Sequence, residues 1–219
     1  MVARGYELTN IVEALRAGGE VAAGDFENPA WARARAAHIA RYWSGEEAPA
    51  GRRAEARVVW DAAGFAVRFD CRQEGPLVVS AAPRLDRKTM ALWERDVCEI
   101  FVTPEHGPGI RRYFEFEVAP TGEWIDLALE VRPEGRETDW DYRSGMTAAA
   151  RAGAGSLTLG LRVPWAALPA RPRAGERWRC NLFRCVGRDP ERGYLAWQPT
   201  HTPEPAFHVP EKFGWVVFK

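Results

Sequence analysis

The sequence predicts an all-β domain, an antiparallel β-sandwich with short N-terminal helical segments. Three observations predict it. Apolar residues recur with a period of two in several separate runs, as on a strand with one buried face. Turn signals separate those runs, at Pro120-Thr121-Gly122, residues 153–155 and residues 172–175. No regular alternation of strand and helix patterns appears, which argues against a parallel α/β sheet.

Taken in order, the N-terminal region is the least regular. Thr9 is placed to cap a short helix through Ile11, Val12 and Leu15 to Gly18, and Asn28-Pro29 to open a second whose apolar residues are Trp31, Ile39 and Tyr42. Residues 44–53, rich in Gly, Pro, Glu and Arg, read as a loop. Strands follow at residues 57–60 and where Phe65, Val67, Phe69 and Cys71 share one face. Further strands fall at residues 97–102, at Phe114, Phe116 and Val118, and at Ile125, Leu127 and Leu129. Residues 132–145 read as one long polar insertion containing Trp140, a secondary candidate for ligand contact. Leu157, Leu159, Leu161 and Val163 resume the alternation, and residues 178–185, 195–197 and 215–218 complete a set of about nine strands.

Composition bounds the function. The 219 residues fit a single domain, and Lys plus Arg equal Asp plus Glu at 30 each. That balance removes the basic surplus of a nucleic-acid binder or an anionic-membrane binder, so a near-neutral ligand is expected. Ten tryptophans are unusual. Trp165, Trp178, Trp197 and Trp215 sit in apolar runs or turns and are expected in the core; a few others, left exposed, would form a flat platform. Cys71, Cys98, Cys180 and Cys185 form no C-x-x-C pair and read as buried small hydrophobes, which argues against a zinc site or disulfide framework. The start, residues 1–10, lacks a leader pattern, and no run of eighteen apolar residues occurs. A soluble, cytoplasmic chain is the default expectation, with an extracellular one as the alternative.

Four stretches together resemble the family 9 carbohydrate-binding modules. The most specific runs Leu92-Trp93-Glu94-Arg95-Asp96-Val97-Cys98-Glu99-Ile100-Phe101. The second is Tyr113-x-Glu115-Phe116 leading to Pro120-x-Gly122. The third is Val163-Pro164-Trp165-x-x-Leu168, then Gly175-x-x-Trp178-x-x-Asn181-x-x-Arg184. The last is Trp197-x-Pro199, then His208-x-Pro210-x-x-Phe213-Gly214. The resemblance extends from about Val58 to the C-terminus and implies one carbohydrate-binding domain over 1–219, with residues 1–53 a poorly matched extension in which Trp31 alone corresponds.

What the resemblance implies is non-catalytic binding of an oligo- or polysaccharide, associated with carbohydrate catabolism. The sugar would stack on Trp93 and Phe207 at the sandwich rim. Glu99 would accept from its hydroxyls, because a carboxylate accepts from two neighbours at once. Arg184 or Arg188 would donate, and His208 would serve as a prop. Glu115, Glu117 and Ala119 depart from the pattern, standing where well-known members carry amide and Arg side chains. Family members can hold structural calcium, for which Asp96 and Asp61 are the candidate ligands, with Asp70 and Asp86 as further oxygen donors.

Rival readings remain open on the sequence. Glu99 shares strand parity with Val97 and Phe101, so a purely structural ion pair with Arg184 is an equal alternative. Glu115 and Glu117 suggest a glycosidase, although two acids side by side on one strand do not straddle a scissile bond. A haem or other cofactor would call on His201, His208, Met90 or Met146 as axial ligands. An aromatic patch meeting a protein partner is the third rival.

Overall fold

The computed structural model describes residues 10–107 and 109–219. Among them fourteen strands form a mixed sheet in the order β10-β11-β5-β4-β1-β14-β12-β6-β7-β8-β9, with β2, β3 and β13 attached to its flanks. The strands are β1 (Ile11–Arg16), β2 (Ala37–Ile39), β3 (Arg41–Tyr42), β4 (Ala54–Trp60), β5 (Gly64–Arg72), β6 (Val97–Thr103) and β7 (Arg112–Val118). They continue as β8 (Trp124–Arg132), β9 (Gly135–Asp139), β10 (Thr147–Gly153), β11 (Ser156–Pro164), β12 (Arg177–Val186), β13 (Gly193–Ala196) and β14 (Gly214–Phe218). The one α-helix among the described residues is α1 (Pro29–Arg33), opened by Asn28, whose side chain accepts from the Ala30 amide at 3.0 Å.

The path closes into a sandwich because the alternating apolar faces of its two halves meet. Phe65, Val67 and Phe69 of β5 and Leu157, Leu159 and Leu161 of β11 bury against Ile100 of β6 and Phe114 and Phe116 of β7. The Phe65 and Phe116 rings stand 6.3 Å apart edge to face across the layers. Strand β1 joins the halves, running parallel to both β4 and β14.

This corrects the first predicted helix. Residues 11–16 are a strand, since Val12 and Ala14 are buried between two neighbours whose ladders take up its backbone groups, and tertiary pairing overrides a weak helical spacing. The proposed cap Thr9, like most of the segment read for a leader, lies outside the described residues. Helix α1 stops at Arg33, and Ile39 and Tyr42 belong to β2 and β3 instead. The expected insertion at 132–145 is largely a hairpin, with β9 pairing back on β8 through Thr138 opposite Leu129.

Strand β6 is buried at every position from Val97 to Thr103. Its inner face meets the core between the layers. Its outer face, with Val97, Glu99 and Phe101, therefore needs a second cover, which a smaller cluster including Leu92, Phe183, Phe207 and Phe213 supplies. No helix among the described residues is long and apolar enough to cross a membrane.

Candidate functional site

The outer face of β6, β7, β8 and β12 is only partly covered, and the gap is a cleft of about 640 Å³. Pairing register sets its floor. Glu99 stands opposite Glu117, Phe101 opposite Glu115, and Glu115 opposite Leu127, so all these side chains share one face. Glu99 and Glu115 line the cleft together with Leu127 and Cys185. Glu117 lies beside them, fully buried.

Aromatic rings form the walls. Trp93 sits half-buried on a single 3-10 turn, Leu92–Glu94, anchored by the buried Leu92. The Arg192 guanidinium fixes that turn by donating to the carbonyls of Trp93, Glu94 and Arg95 and to that of Gly187. Trp140, 47% exposed, leans toward Trp93 with ring centroids 6.1 Å apart at 39°. Its backbone is held by the Lys88 ammonium, which donates to the carbonyls of Trp140 at 3.2 Å and Tyr142 at 2.7 Å while pairing with the Asp126 carboxylate at 3.0 Å. Phe207 stacks on Phe183 at 4.1 Å and 12°, and Tyr194 meets Phe207 edge on. Arg136, Thr138 and His208 complete the rim.

The floor is a concentrated set of acids. Carboxylate oxygens of Glu99, Glu115 and Glu117 lie within 4.8 Å of one another. Both Glu117 oxygens and Oε2 of Glu115 are buried without a hydrogen-bond partner, and Glu99 accepts only a long contact from the Cys185 thiol at 3.6 Å. Burial, then the neighbouring carboxylates, pushes Glu99 and Glu117 well above the usual carboxylate range; burial raises Glu115 as well. His208 Nε2 approaches Glu115 at 3.9 Å, and its Nδ1 lies 2.9 Å from the Tyr113 hydroxyl. Burial, with the Arg136 charge nearby, lowers the His208 pKa to about 3, so this contact joins a neutral imidazole to a carboxyl group rather than two charges.

Of the residues singled out on the sequence, the fold brings Trp93, Glu99, Phe207 and His208 to this cleft. It does not bring the arginines. Arg184 lies opposite Cys98, one residue out of phase with Glu99, so it points through the other face. There it donates to the carbonyls of Arg52, Arg53 and Arg72 and to Gln73, which rules out both its ligand role and its ion pair with Glu99. Arg188 lies exposed past the end of β12, outside the cleft lining, on an adjoining shallow groove with Val78 and Arg95 that shares Glu94, Asp189 and Arg192 with the cleft.

The proposed calcium ligands do not fit an ion. Asp61 binds the Arg162 guanidinium in a two-point pair at 2.8 and 2.9 Å and accepts from the Ala63 and Gly64 amides. Burial works to raise its pKa, but these partners outweigh burial and hold it below the usual value. Asp96 spends one oxygen on the Gly187 amide at 2.7 Å and the other on Val78 at 3.2 Å. Both are structural braces. Nor do haem ligands converge: Met146 is buried in the core between the layers, Met90 is exposed, and His201 contacts the Ser44 carbonyl.

Arg136, Thr138, Arg192 and Tyr194 escaped sequence reasoning. For the first two the signal was alternation in residues 135–139, masked there by charge; for Arg192 it was the Pro-Glu-Arg-Gly turn that holds it, and for Tyr194 the short strand that follows.

The family described as carbohydrate family 9 binding domain-like matches residues 23–219. No curated protein sequence matches the chain. Among solved structures, a Bacteroides uniformis protein provisionally described as carbohydrate-binding superposes with a TM-score of 0.72 at 16% identity, covering 95% of this chain and 99% of the other. A family 9 carbohydrate-binding module from Caldicellulosiruptor kristjanssonii in complex with cellotriose gives 0.63 at 16% identity, over 95% and 93% of the two chains. The same organism's module in complex with glucose gives 0.62 at 15% identity, over 95% of each. At such identities the likeness is one of fold.

Proposed function

Since the chain belongs to the carbohydrate family 9 binding domain-like family, we propose that it binds saccharide without catalysis, in the cleft between Trp93, Trp140, Tyr194 and Phe207. The observation that carries this reading is the pairing of aromatic walls with a polar floor in one concave site. The C–H faces of a pyranose pack on rings while its hydroxyls need acceptors and donors, and the cleft offers both. The structural neighbours in complex with cellotriose and glucose support a saccharide of that kind. Participation in carbohydrate catabolism follows as part of the same proposal.

Hydrolysis would ask for more than this site has. Glycosidases hold two carboxyl groups on either side of the scissile bond, about 5–9.5 Å apart. The three glutamates here cluster within 4.8 Å on one face of the sheet, all on the same side of any bound ring.

Titration of tryptophan fluorescence with glucose, cellotriose and other oligosaccharides tests the reading. A saturable change is expected, with affinity falling on the order of tenfold or more in Trp93→Ala while the far-ultraviolet circular dichroism is unchanged. A flat response from the folded protein across the panel would overturn it.

A further inference from the structure

We propose that the floor of the cleft selects a saccharide bearing a protonated primary amine, a 2-amino-2-deoxyhexose or an oligomer of one, whose ammonium is held by Glu99 and Glu115. The proposal rests on the saccharide reading above and narrows its ligand class.

Three acidic side chains alone would not carry it. What points to a ligand is that Glu115 turns toward the cleft an acceptor oxygen that no donor outside the acidic cluster meets. Glu115 lines the cleft at 2% exposure with Oε2 unpartnered, and behind it Glu117, at 0%, has both oxygens unpartnered. Among the described residues no Lys or Arg forms an ion pair with any of the three, and the one basic neighbour, His208, is neutral. The two guanidinium groups at the rim act on the acids only through space: Arg192, which donates to four backbone carbonyls, favours the charged form of Glu99, and Arg136 favours that of Glu115, without either forming an ion pair there. The fold has thus gathered carboxyl groups where leaving them unpaired is costly and placed no cation of its own in contact with them.

An ammonium matches that deficit. It carries three donors on one charged nitrogen, whereas a sugar hydroxyl carries one donor and no charge. The walls favour the same charge, since Trp93, Trp140 and Tyr194 present π-faces that attract cations. A divalent metal matches less well. Calcium takes 6–8 oxygen ligands, and around the three carboxyl groups the neighbours include Cys185, Leu127, Phe183 and the His208 ring, none of them an oxygen donor.

Isothermal titration of the full chain with glucosamine, glucose and N-acetylglucosamine, at a neutral pH that leaves much of the amine protonated while favouring ionisation of Glu115, the least raised of the three acids, separates the alternatives. Glucosamine is expected to bind on the order of tenfold tighter than glucose, with the advantage lost on N-acetylation, as for a charge-assisted hydrogen bond. That ratio is expected to collapse toward one in Glu115→Gln, and Glu99→Gln reads the same ratio should the first variant fail to fold. Glucose and glucosamine binding equally would overturn the amine proposal and leave the saccharide reading standing. Silence from all three sugars would remove both. Stoichiometric uptake of manganese or calcium by the sugar-free protein, blocking glucosamine, would reassign the cluster to a metal and overturn the proposal as well.

Discussion

Glu117 bears the sharpest local conflict in the molecule. It is fully buried, faces Glu99 across a strand pair and keeps both oxygens without a partner. Its carboxyl is pushed well above its ordinary value of 4.5 by burial first and by Glu99 and Glu115 next. The folded state therefore retains a proton that the unfolded chain gives up. Between the unfolded value and the raised folded one, stability falls as pH rises; below the unfolded value the penalty vanishes. Glu117→Gln keeps the shape, removes the charge and adds an amide that donates to its two acidic neighbours. At neutral pH its melting temperature is expected to exceed that of the parent by roughly 2–6 °C, the effect of about 1–2 kcal/mol in a chain of this size. The gap should close as the pH approaches about 4; a gap that stays constant down to that pH would mean the carboxyl is not raised. The neighbouring strand β6 shows what alternation reveals and hides. Parity placed Glu99 on one face with Val97 and Phe101, yet whether Arg184 shared that face turned on register, and only pairing opposite Cys98 sends it away.

Each tryptophan of the cleft wall is held through its backbone by a cation that belongs to another element. Lys88, on the segment before the Trp93 turn, gathers the carbonyls of Asp126, Trp140 and Tyr142 around one ammonium. Lys88→Met preserves length and loses every donor, leaving the Asp126 carboxylate without its cation. Stability should fall by about 3–5 kcal/mol, the cost of breaking a buried pair. Affinity for saccharide should fall several-fold, because Trp140 is no longer fixed. If Lys88 acts by positioning Trp140, the affinity loss should disappear in a Trp140→Ala background while the stability loss persists, which a double-mutant cycle reads directly. Equal losses in both backgrounds would break the link. Such positioning is hard to see in sequence, since Lys88 and Trp140 are separated by four strands. The hairpin carrying Arg136 and Thr138 was hidden similarly: charged residues on a strand with exposed faces give no apolar period.

At the scale of the whole molecule, the alternating runs of β5, β7 and β11 made the two layers legible, because each turns apolar residues at the period of the pleat into the core between them. How the layers join was not legible. Strand β1 is only six residues long, and its two parallel partners, β4 and β14, come from opposite ends of the remaining chain. Parallel pairing between such distant segments leaves no local sign. Its importance nonetheless follows from its place. Ala14 is fully buried, stands opposite Val58 on one side and Phe218 on the other, and packs into the core between the layers. Ala14→Asp would put an unpaired carboxylate there and widen the seam that closes the sandwich. The expected outcome is loss of the cooperative thermal transition at neutral pH. Ile11→Asp, four positions from Leu15 on the same strand but 45% exposed, should change the melting temperature little. Were both variants to melt like the parent, β1 would be a peripheral addition to a sandwich already closed by the other strands.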